Sequence, residues 1–368
     1  MIIVATSRNS NLASEFGGTP WSLIQGFKSS GVESRGVNLA PFWLLRILSF
    51  IWRILRVLSL RKPFGWQYSS TSRWARGLIL KREILEGDYL LSFYQIVPNL
   101  AGPYCIYADC SLKYIFDNYP ESRLVPNDVK VKALFYEKKS YENAQFIFLK
   151  TQQAILDLHY NYGIPLTKMK LQMVPPNNVI RLTPEILNER RNSSRRKVRF
   201  VFIGKDGQRK GLDKSIELIR NLGKVGISCR LDVVGSLEFR ELASDLEDVN
   251  FHGVLPLGSK VIAELLRHSH FGFLLSRNEA AGISLMEFQA AGLIPIVSAF
   301  PGAESSLLAR NYFKLSTAET LSEFGDRIAR FINSANFDLG LAEAIEDAAR
   351  IPNWQSTAME IQKVTKST

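Results

Sequence analysis

The chain has 368 residues, of which 46% are hydrophobic and 22% are charged, and it carries a formal net charge of +11. That length exceeds what one hydrophobic core usually supports, so the sequence predicts two domains. The composition is typical of a globular chain and excludes a disordered or fibrous one. The three cysteines, Cys105, Cys110 and Cys229, show no CxxC spacing. We therefore expect neither a disulfide framework nor a zinc site. A reducing compartment fits these cysteines best.

The N-terminus predicts a strand followed by a glycine-containing loop. Ile2 to Thr6 is an apolar run, and Gly17 and Gly18 precede a helix that we expect to begin near Trp21. The apolar run is too short for the core of a signal peptide, and no basic region precedes it. We therefore expect a cytoplasmic protein.

Positive charge is concentrated between Ser34 and Arg82, a stretch with ten Lys or Arg residues and no acidic residue. Within it, Pro41 to Leu60 is apolar apart from three arginines, which share about one quadrant of a helical wheel. A membrane span would bury Arg53 near the bilayer centre, whereas an interfacial helix would let arginines reach anionic headgroups. We expect segment 41–76 to bind an anionic membrane surface; burial in the first domain is the alternative. The aliphatic face of this segment is not suited to binding the phosphate backbone of a nucleic acid.

Strand-like runs alternate with helical or loop segments through both halves of the chain. In the first half, further strands are predicted at Tyr89–Ile96, Tyr104–Tyr107, Gln145–Leu149 and Lys170–Val174. After a polar connector at Asn188–Lys197, strands are predicted at Val198–Gly204, Arg230–Val234, Asn250–Gly253, Phe271–Leu275 and Ile294–Ser298. This alternation indicates an α/β protein with two doubly wound parallel sheets. We place the domains at residues 1–185 and 186–350, followed by a last segment at 351–368.

Two strand ends in the second half carry residues suited to binding a diphosphate. The segment VFIGKDGQRKGLD places Lys205, Arg209 and Lys210 in a turn between a strand and a helix. Ligands of parallel sheets bind at the carboxyl ends of strands, where helix N-terminal amides attract phosphate. The turn matches neither a dinucleotide-binding nor a P-loop motif. A solvent-exposed basic loop is the alternative interpretation.

The second junction, FLLSRNEAAGISLMEFQAAGLIPIVS, places two carboxylates eight residues apart, Glu279 and Glu287. Between them, Gly282, Ile283 and Ser284 begin a predicted helix whose amides can hold phosphate. A nucleotide sugar needs this order of groups: a partner for the sugar hydroxyls, then a phosphate cradle, then a partner for the ribose diol.

The segment EAAGISLME resembles the E-x7-E motif of retaining family 4 glycosyltransferases, and Arg209-Lys210-Gly211 resembles the R-K-G variant of the lipopolysaccharide-core transferases. This resemblance implies GT-B architecture, in which two Rossmann-like domains face each other across a cleft. It also implies that the C-terminal domain binds the donor and the N-terminal domain the acceptor. The segment NWQSTAMEIQK resembles the terminal helix that crosses back to the N-terminal domain.

The resemblance implies a role for each residue of the two junctions. Glu279 would bind hydroxyls of the transferred sugar, Glu287 the ribose hydroxyls, and Arg209 with Lys210 the diphosphate. The other donor-binding residues implied are Gly17, Gly18, Lys205, Val254, Gly282, Ile283 and Ser284.

Asp109, in YCIYADCS, stands where many relatives of that family have histidine. We expect it to position the acceptor or the reacting sugar. A helix N-cap is the alternative, because aspartate is common at that position.

The expected activity is retaining, metal-independent transfer of a hexose from a UDP- or GDP-linked donor. The expected acceptor is a glycan or a lipid-linked glycan of polysaccharide biosynthesis at the inner face of the cell membrane, and no cofactor or metal ion is expected. A non-catalytic GT-B partner protein that binds nucleotide sugars and a GT-B enzyme with a soluble acceptor are the alternatives.

Overall fold

We describe the protein from a computed structural model, which describes residues 1–7, 11, 15–39, 43–100, 102–194, 196–300 and 302–366. The chain forms two compact units. Unit 1 comprises Met1–Met173 and the residues from Trp354 onward, and unit 2 comprises Val174–Asn353. Each unit contains a six-stranded sheet.

The sheet of unit 1 has the strand order β2-β1-β3-β4-β5-β6, and all neighbouring strands are parallel. Its strands are β1 (Ile2–Thr6), β2 (Ser34–Asn38), β3 (Tyr89–Ser92), β4 (Tyr104–Ala108), β5 (Phe146–Leu149) and β6 (Met169–Leu171). The helices of this part are α1 (Thr19–Ser29), α2 (Trp43–Leu58), α3 (Ser70–Glu83), α4 (Leu112–Asn118), α5 (Asn127–Asn143) and α6 (Gln152–Tyr162). β1 and β4 are buried along their whole length, as expected for a parallel sheet covered on both faces.

The sheet of unit 2 has the order β12-β11-β10-β7-β8-β9 and is also parallel. Its strands are β7 (Val198–Ile203), β8 (Cys229–Val234), β9 (Val249–Gly253), β10 (Phe271–Leu274), β11 (Ile294–Ser298) and β12 (Phe313–Leu315). Its helices are α7 (Pro184–Ser194), α8 (Gly207–Lys210), α9 (Leu212–Lys224), α10 (Lys260–His268), α11 (Ile283–Ala290), α12 (Ala303–Ser306), α13 (Leu321–Ile332) and α14 (Asn336–Asp347). The prediction of two doubly wound parallel sheets is confirmed.

The final helix, α15 (Trp354–Lys366), packs against α1 in unit 1. Its fully buried Ala358 and Ile361 join the cluster that contains Phe27. A glycine on α1 permits this close approach, because a Cβ atom at Gly26 would lie 2.3 Å from the carbonyl oxygen of Trp354. The last two residues of the predicted segment 351–368 lie outside the described residues.

The prediction of a domain connector at Asn188–Lys197 is wrong. Most of that run belongs to α7, and the division between the units falls between Met173 and Val174. Arg190 is 1% exposed and donates hydrogen bonds from its guanidinium to four carbonyl oxygens, those of Leu266, Arg267, Ala291 and Gly292. These carbonyls lie at the C-terminal ends of α10 and α11, where helix carbonyls lack intrahelical donors. Arg190 therefore ties both helices to α7.

α2 lies on the surface of unit 1, so the alternative of a buried helix is wrong. Trp52 packs edge-on against Trp66, with 5.8 Å between ring centroids. Seven large apolar side chains of α2 are exposed: Ile47, Phe50, Ile51, Ile54, Leu55, Val57 and Leu58. No helix in the described ranges is both long and apolar enough to span a membrane. The first two residues of segment 41–76 lie outside the described residues.

The three arginines of α2 do not act alike, which corrects the expectation that all of them reach headgroups. Arg46 and Arg53 are exposed. Arg56 is 10% exposed and forms two hydrogen bonds, of 2.8 and 3.1 Å, with the carboxylate of Asp128. Arg56 therefore anchors α2 to α5.

Replacing Arg190 with methionine should strongly destabilise unit 2. The substitution keeps the apolar stem but leaves four carbonyl groups without their donor, and each unpaired buried group costs roughly 1–3 kcal/mol. We expect Arg190→Met to lower the free energy of unfolding by at least about 3 kcal/mol, measured by urea titration. The matched control is Arg196→Met, at an exposed position, with a change within about 0.5 kcal/mol. Equal losses in both variants would contradict the anchoring role.

Candidate functional site

The turn after β7 places two cations at the carboxyl end of the unit 2 sheet. Asp206 caps the short helix α8, and its carboxylate accepts hydrogen bonds from the amide (2.9 Å) and the Nε (3.1 Å) of Arg209. α8 ends at Gly211, which has φ of 74°. A Cβ atom there would lie 2.0 Å from the carbonyl oxygen of Leu275, so only glycine permits the turn this close to the end of β10.

Arg209 and Lys210 share one carboxylate oxygen of Glu279. The Oε2 atom of Glu279 lies 3.2 Å from Nη1 of Arg209 and 3.1 Å from Nζ of Lys210. The same Nη1 donates to the carbonyl oxygen of Asn278 at 3.0 Å. Glu279 is only 7% exposed, and its contacts hold both cations next to it. Hydroxyl or phosphate groups of a ligand can exchange with these ion pairs.

Glu287 projects from α11 and is 4% exposed. Its Oε1 atom accepts hydrogen bonds from the backbone amide (3.1 Å) and the side-chain amide (2.8 Å) of Asn178. Burial raises the pKa of Glu287 to about 7, against the opposing effects of Asn178 and of the positive charge of Lys210. Lys210 therefore interacts electrostatically with both carboxylates of the predicted motif.

The N-terminus of α11 lies between the two carboxylates in the sequence. Gly282 precedes the helix, and a Cβ atom there would lie 2.5 Å from Cδ2 of Leu274. The hydroxyl of Ser284 is buried and has no hydrogen-bond partner among the residues that the structure describes. Because buried polar groups are normally paired, a free hydroxyl beside helix N-terminal amides indicates a place for a ligand.

The remaining donor-binding residues predicted in unit 2 lie at its surface. Ile283 is half-buried in the first turn of α11, and Lys205 and Val254 are exposed after β7 and β9. Lys205 forms no ion pair within the described ranges. The nearby charges of Arg209 and Lys210 are matched by those of Asp206 and Glu279, so Lys205 gives this turn a net positive charge.

In unit 1, Gly17 and Gly18 have φ of 62° and 84° and end the turn before α1. The positive φ values explain the choice of glycine here. The helix begins at Thr19, two residues before the predicted start.

Asp109 lies in unit 1, directly after β4, and is paired with a lysine that the sequence analysis missed. Its Oδ1 atom lies 2.5 Å from Nζ of Lys150, which follows the neighbouring strand β5. The side chain of Lys150 is 3% exposed, whereas that of Asp109 is 53% exposed. The N-cap alternative for Asp109 is wrong, because the side chain of Ser111 caps α4. Lys150 could have been identified from the sequence, because it is a cation that directly follows a predicted strand.

Asn178 was also missed as a site residue. It lies 109 positions before Glu287 and outside the sheet, so no strand pairing relates the two residues. No group of three or more His, Cys, Asp or Glu side chains in the described part of the chain could hold a metal ion.

Residues 185–350 match the family model of the glycosyl transferases group 1. No curated protein matches the chain significantly. The solved structure of WaaG, a glycosyltransferase involved in lipopolysaccharide biosynthesis, aligns with 98% of this chain and 98% of its own at 15% identity and a TM-score of 0.66. HepE from Anabaena, solved with UDP and glucose, aligns over 100% of both chains at 14% identity and a TM-score of 0.67.

A sucrose-phosphate synthase from Thermosynechococcus elongatus aligns with 100% of this chain and 98% of its own at 12% identity and a TM-score of 0.71. At these identities the structural matches establish the fold. They confirm the predicted GT-B fold, which all three proteins share.

The raised pKa of Glu287 predicts how stability depends on pH. Since its pKa is about 7 in the folded state and about 4.5 when unperturbed, the folded state holds a proton that the unfolded state has lost between these pH values. This contribution to stability is present at low pH and is lost as pH rises towards 7. Glu287→Gln removes it while keeping an oxygen that accepts from Asn178.

We therefore expect the free energy of unfolding of Glu287→Gln, relative to wild type, to rise by about 2 kcal/mol between pH 5 and pH 8 in urea titrations. The control Glu241→Gln changes an exposed glutamate of unit 2 and should show no such trend. A pH-independent difference for Glu287→Gln would refute the assignment.

Proposed function

We propose that this chain is a glycosyltransferase of group 1, the family whose model residues 185–350 match, and that it transfers a hexose from a UDP- or GDP-linked donor to a glycan or lipid-linked acceptor. We further propose that it retains the anomeric configuration and needs no metal ion. The observation that carries this proposal is the shared oxygen of Glu279, which fixes Arg209 and Lys210 beside the N-terminus of α11.

The proposed donor complex follows from the charges of unit 2. The diphosphate would pair with Arg209 and Lys210 and accept hydrogen bonds from the first amides of α11 and from the hydroxyl of Ser284. Glu279, released from part of its ion pairing, would accept hydrogen bonds from sugar hydroxyls. Glu287 would accept from the ribose diol, for which its ionised form is the better partner.

In the proposed reaction, the acceptor hydroxyl oxygen attacks C1 of the sugar and the bond between C1 and the diphosphate oxygen breaks. The hydroxyl proton passes to an oxygen of the departing diphosphate. Arg209 and Lys210 stabilise the negative charge that develops on the leaving group, a contribution of about 3 kcal/mol for a well-placed group. The pairing of Glu279 with two cations makes it a weak nucleophile, which favours this single-step retaining route over a covalent intermediate on Glu279.

The two fixed cations also support metal independence, because they supply the charge that a divalent ion supplies in other glycosyltransferases. In unit 1, the exposed carboxylate of Asp109 is oriented by buried Lys150 and would accept a hydrogen bond from the acceptor hydroxyl. The exposed apolar side chains of α2, together with Arg46 and Arg53, support peripheral binding at the inner face of the cell membrane.

A donor panel tests the proposed function. We expect UDP- or GDP-sugars to raise the melting temperature of the chain and to be consumed when a membrane extract supplies the acceptor, at a rate that EDTA leaves unchanged. Lys210→Gln should lower kcat about 100-fold, because it removes one contact to the leaving group. The control Lys224→Gln changes an exposed lysine at the end of α9 and should keep wild-type turnover.

Donor binding without any transfer would favour the non-catalytic alternative. Full turnover by Lys210→Gln would remove the electrostatic role of this lysine, and inhibition by EDTA would remove metal independence. Turnover of water-soluble acceptors alone would favour the soluble-acceptor alternative.

The Asp109–Lys150 pair makes a separate prediction about the acceptor. Asp109→Asn should lower kcat/KM for the acceptor at least about tenfold, because a charge-assisted hydrogen bond is lost, and should leave donor affinity unchanged. Lys150→Met should have the same effect by releasing Asp109. The control is Asp117→Asn, which breaks the exposed ion pair with Lys113 on α4 and should leave both constants unchanged. Equal loss of donor affinity in the Asp109 variant would contradict an acceptor-specific role.

A further inference from the structure

A basic cavity opens beneath the surface helix of unit 1. It has a volume of about 330 Å³ and lies between the last turns of α2, the start of α3 and the first turns of α5. Its cationic lining residues are Arg56, Arg61 and Lys132, and Asp128 is its acidic one. We propose that this cavity binds the phosphate headgroup of an anionic lipid. This inference rests on the proposed membrane association and identifies the cavity as the place where a lipid headgroup binds.

The charges in the cavity are not balanced. Asp128 is already paired with Arg56, whose hydrogen bonds hold the pKa of Asp128 below its usual value. Arg61 is 64% exposed, and its Nη1 atom lies 3.7 Å from the same carboxylate. The ammonium group of Lys132 forms no ion pair or hydrogen bond within the described ranges. Three cations therefore face one carboxylate, and two positive charges remain for an anionic ligand.

The rim of the cavity supplies hydrogen-bond donors. Ser69 caps α3, and its hydroxyl accepts the amide of Ser72 at 3.1 Å. Ser70 and Thr71 follow in the first turn, which contains no acidic residue, and both line the cavity. Hydroxyls and first-turn amides are ordinary partners of a phosphate group. A volume of about 330 Å³ is at the lower end of small-ligand pockets, which suits a headgroup.

The cavity adjoins the apolar face of α2, and this favours a lipid over a soluble phosphate. Trp52, Arg56 and Ser59 have the spacing i, i+4, i+7 and line the cavity from one side of the helix. Leu55 both lines the cavity and is 58% exposed, so it joins the cavity to the exposed apolar side chains. A lipid can place its phosphate among the cations and its acyl chains along this face, whereas a free phosphate would leave the face uncovered.

Vesicle binding by the full chain tests this assignment. The vesicles contain phosphatidylcholine alone or with phosphatidic acid, and binding is measured by sedimentation. Lys132→Gln is compared with Lys138→Gln, which changes an exposed lysine of the same helix outside the cavity. We expect Lys132→Gln to weaken binding to phosphatidic acid vesicles at least about tenfold. Lys138→Gln should weaken it no more than about fivefold, the effect of one charge near an anionic surface.

Equal losses in the two variants, with the wild type bound, would overturn the headgroup site and leave the membrane association standing. No binding of the wild type to phosphatidic acid vesicles would overturn both. If inorganic phosphate then raised the melting temperature of the wild type and not of Lys132→Gln, the cavity would be assigned to soluble phosphate instead. Donor affinity of Lys132→Gln should equal that of the wild type, so the glycosyltransferase proposal is judged separately.

Discussion

The candidate site of unit 2 depends on one carboxylate oxygen that two cations share. Oε2 of Glu279 joins the turn after β7 to the loop after β10, and these strands are neighbours in the sheet. Gly204 makes the arrangement possible, because a Cβ atom there would lie 2.3 Å from Cδ of Lys210. The backbone amide of Arg277 adds a second link by donating to the carbonyl oxygen of Arg209 at 2.8 Å. The cations are therefore fixed before a ligand arrives, which reduces the reorganisation that binding requires.

The sequence predicted that these side chains lie at one edge of the sheet, because two independent rules agree on it, but it did not predict that both cations pair with Glu279. Parallel strands bring their carboxyl ends to one edge of a sheet, and the spacing of Glu279 and Glu287 matches a known motif. Some contacts follow neither from helix or strand periodicity nor from strand pairing, and the sequence could not predict them. The hydrogen bonds from Asn178 to Glu287 are an example. The edge strands β2 and β12 were not predicted; β2 is polar, so it shows no apolar run. The segment around Arg190 was wrongly predicted to be a domain connector, because its polar, basic sequence is typical of a solvent-exposed segment. Arg190 is buried through hydrogen bonds to carbonyl oxygens, and burial of this kind produces no apolar pattern in the sequence.

The two units use the same geometry with opposite polarity. In unit 2, a buried carboxylate fixes two partly exposed cations, which suits an anionic ligand. In unit 1, buried Lys150 fixes the exposed carboxylate of Asp109, which suits a hydroxyl that donates a hydrogen bond. Both pairs lie where neighbouring parallel strands end. The difference matches the chemistry proposed for them, because a donor diphosphate is an anion and an acceptor presents a hydroxyl group.

The surface helix of unit 1 shows why charge patterning must be interpreted together with contacts. Its arginines share one sector of the helix, yet Arg56 is stacked over Trp52, with 5.1 Å to the ring centroid, and paired with Asp128. Arg46 and Arg53 stay exposed beside an apolar face that soluble monomers rarely leave uncovered. One arginine therefore holds the helix to the unit, and the proposed contact with an anionic surface rests on the other two. Asp128 is hydrogen-bonded to Arg56 and lies 3.7 Å from Arg61, so the proposed phosphate site depends on an excess of cations over this one carboxylate.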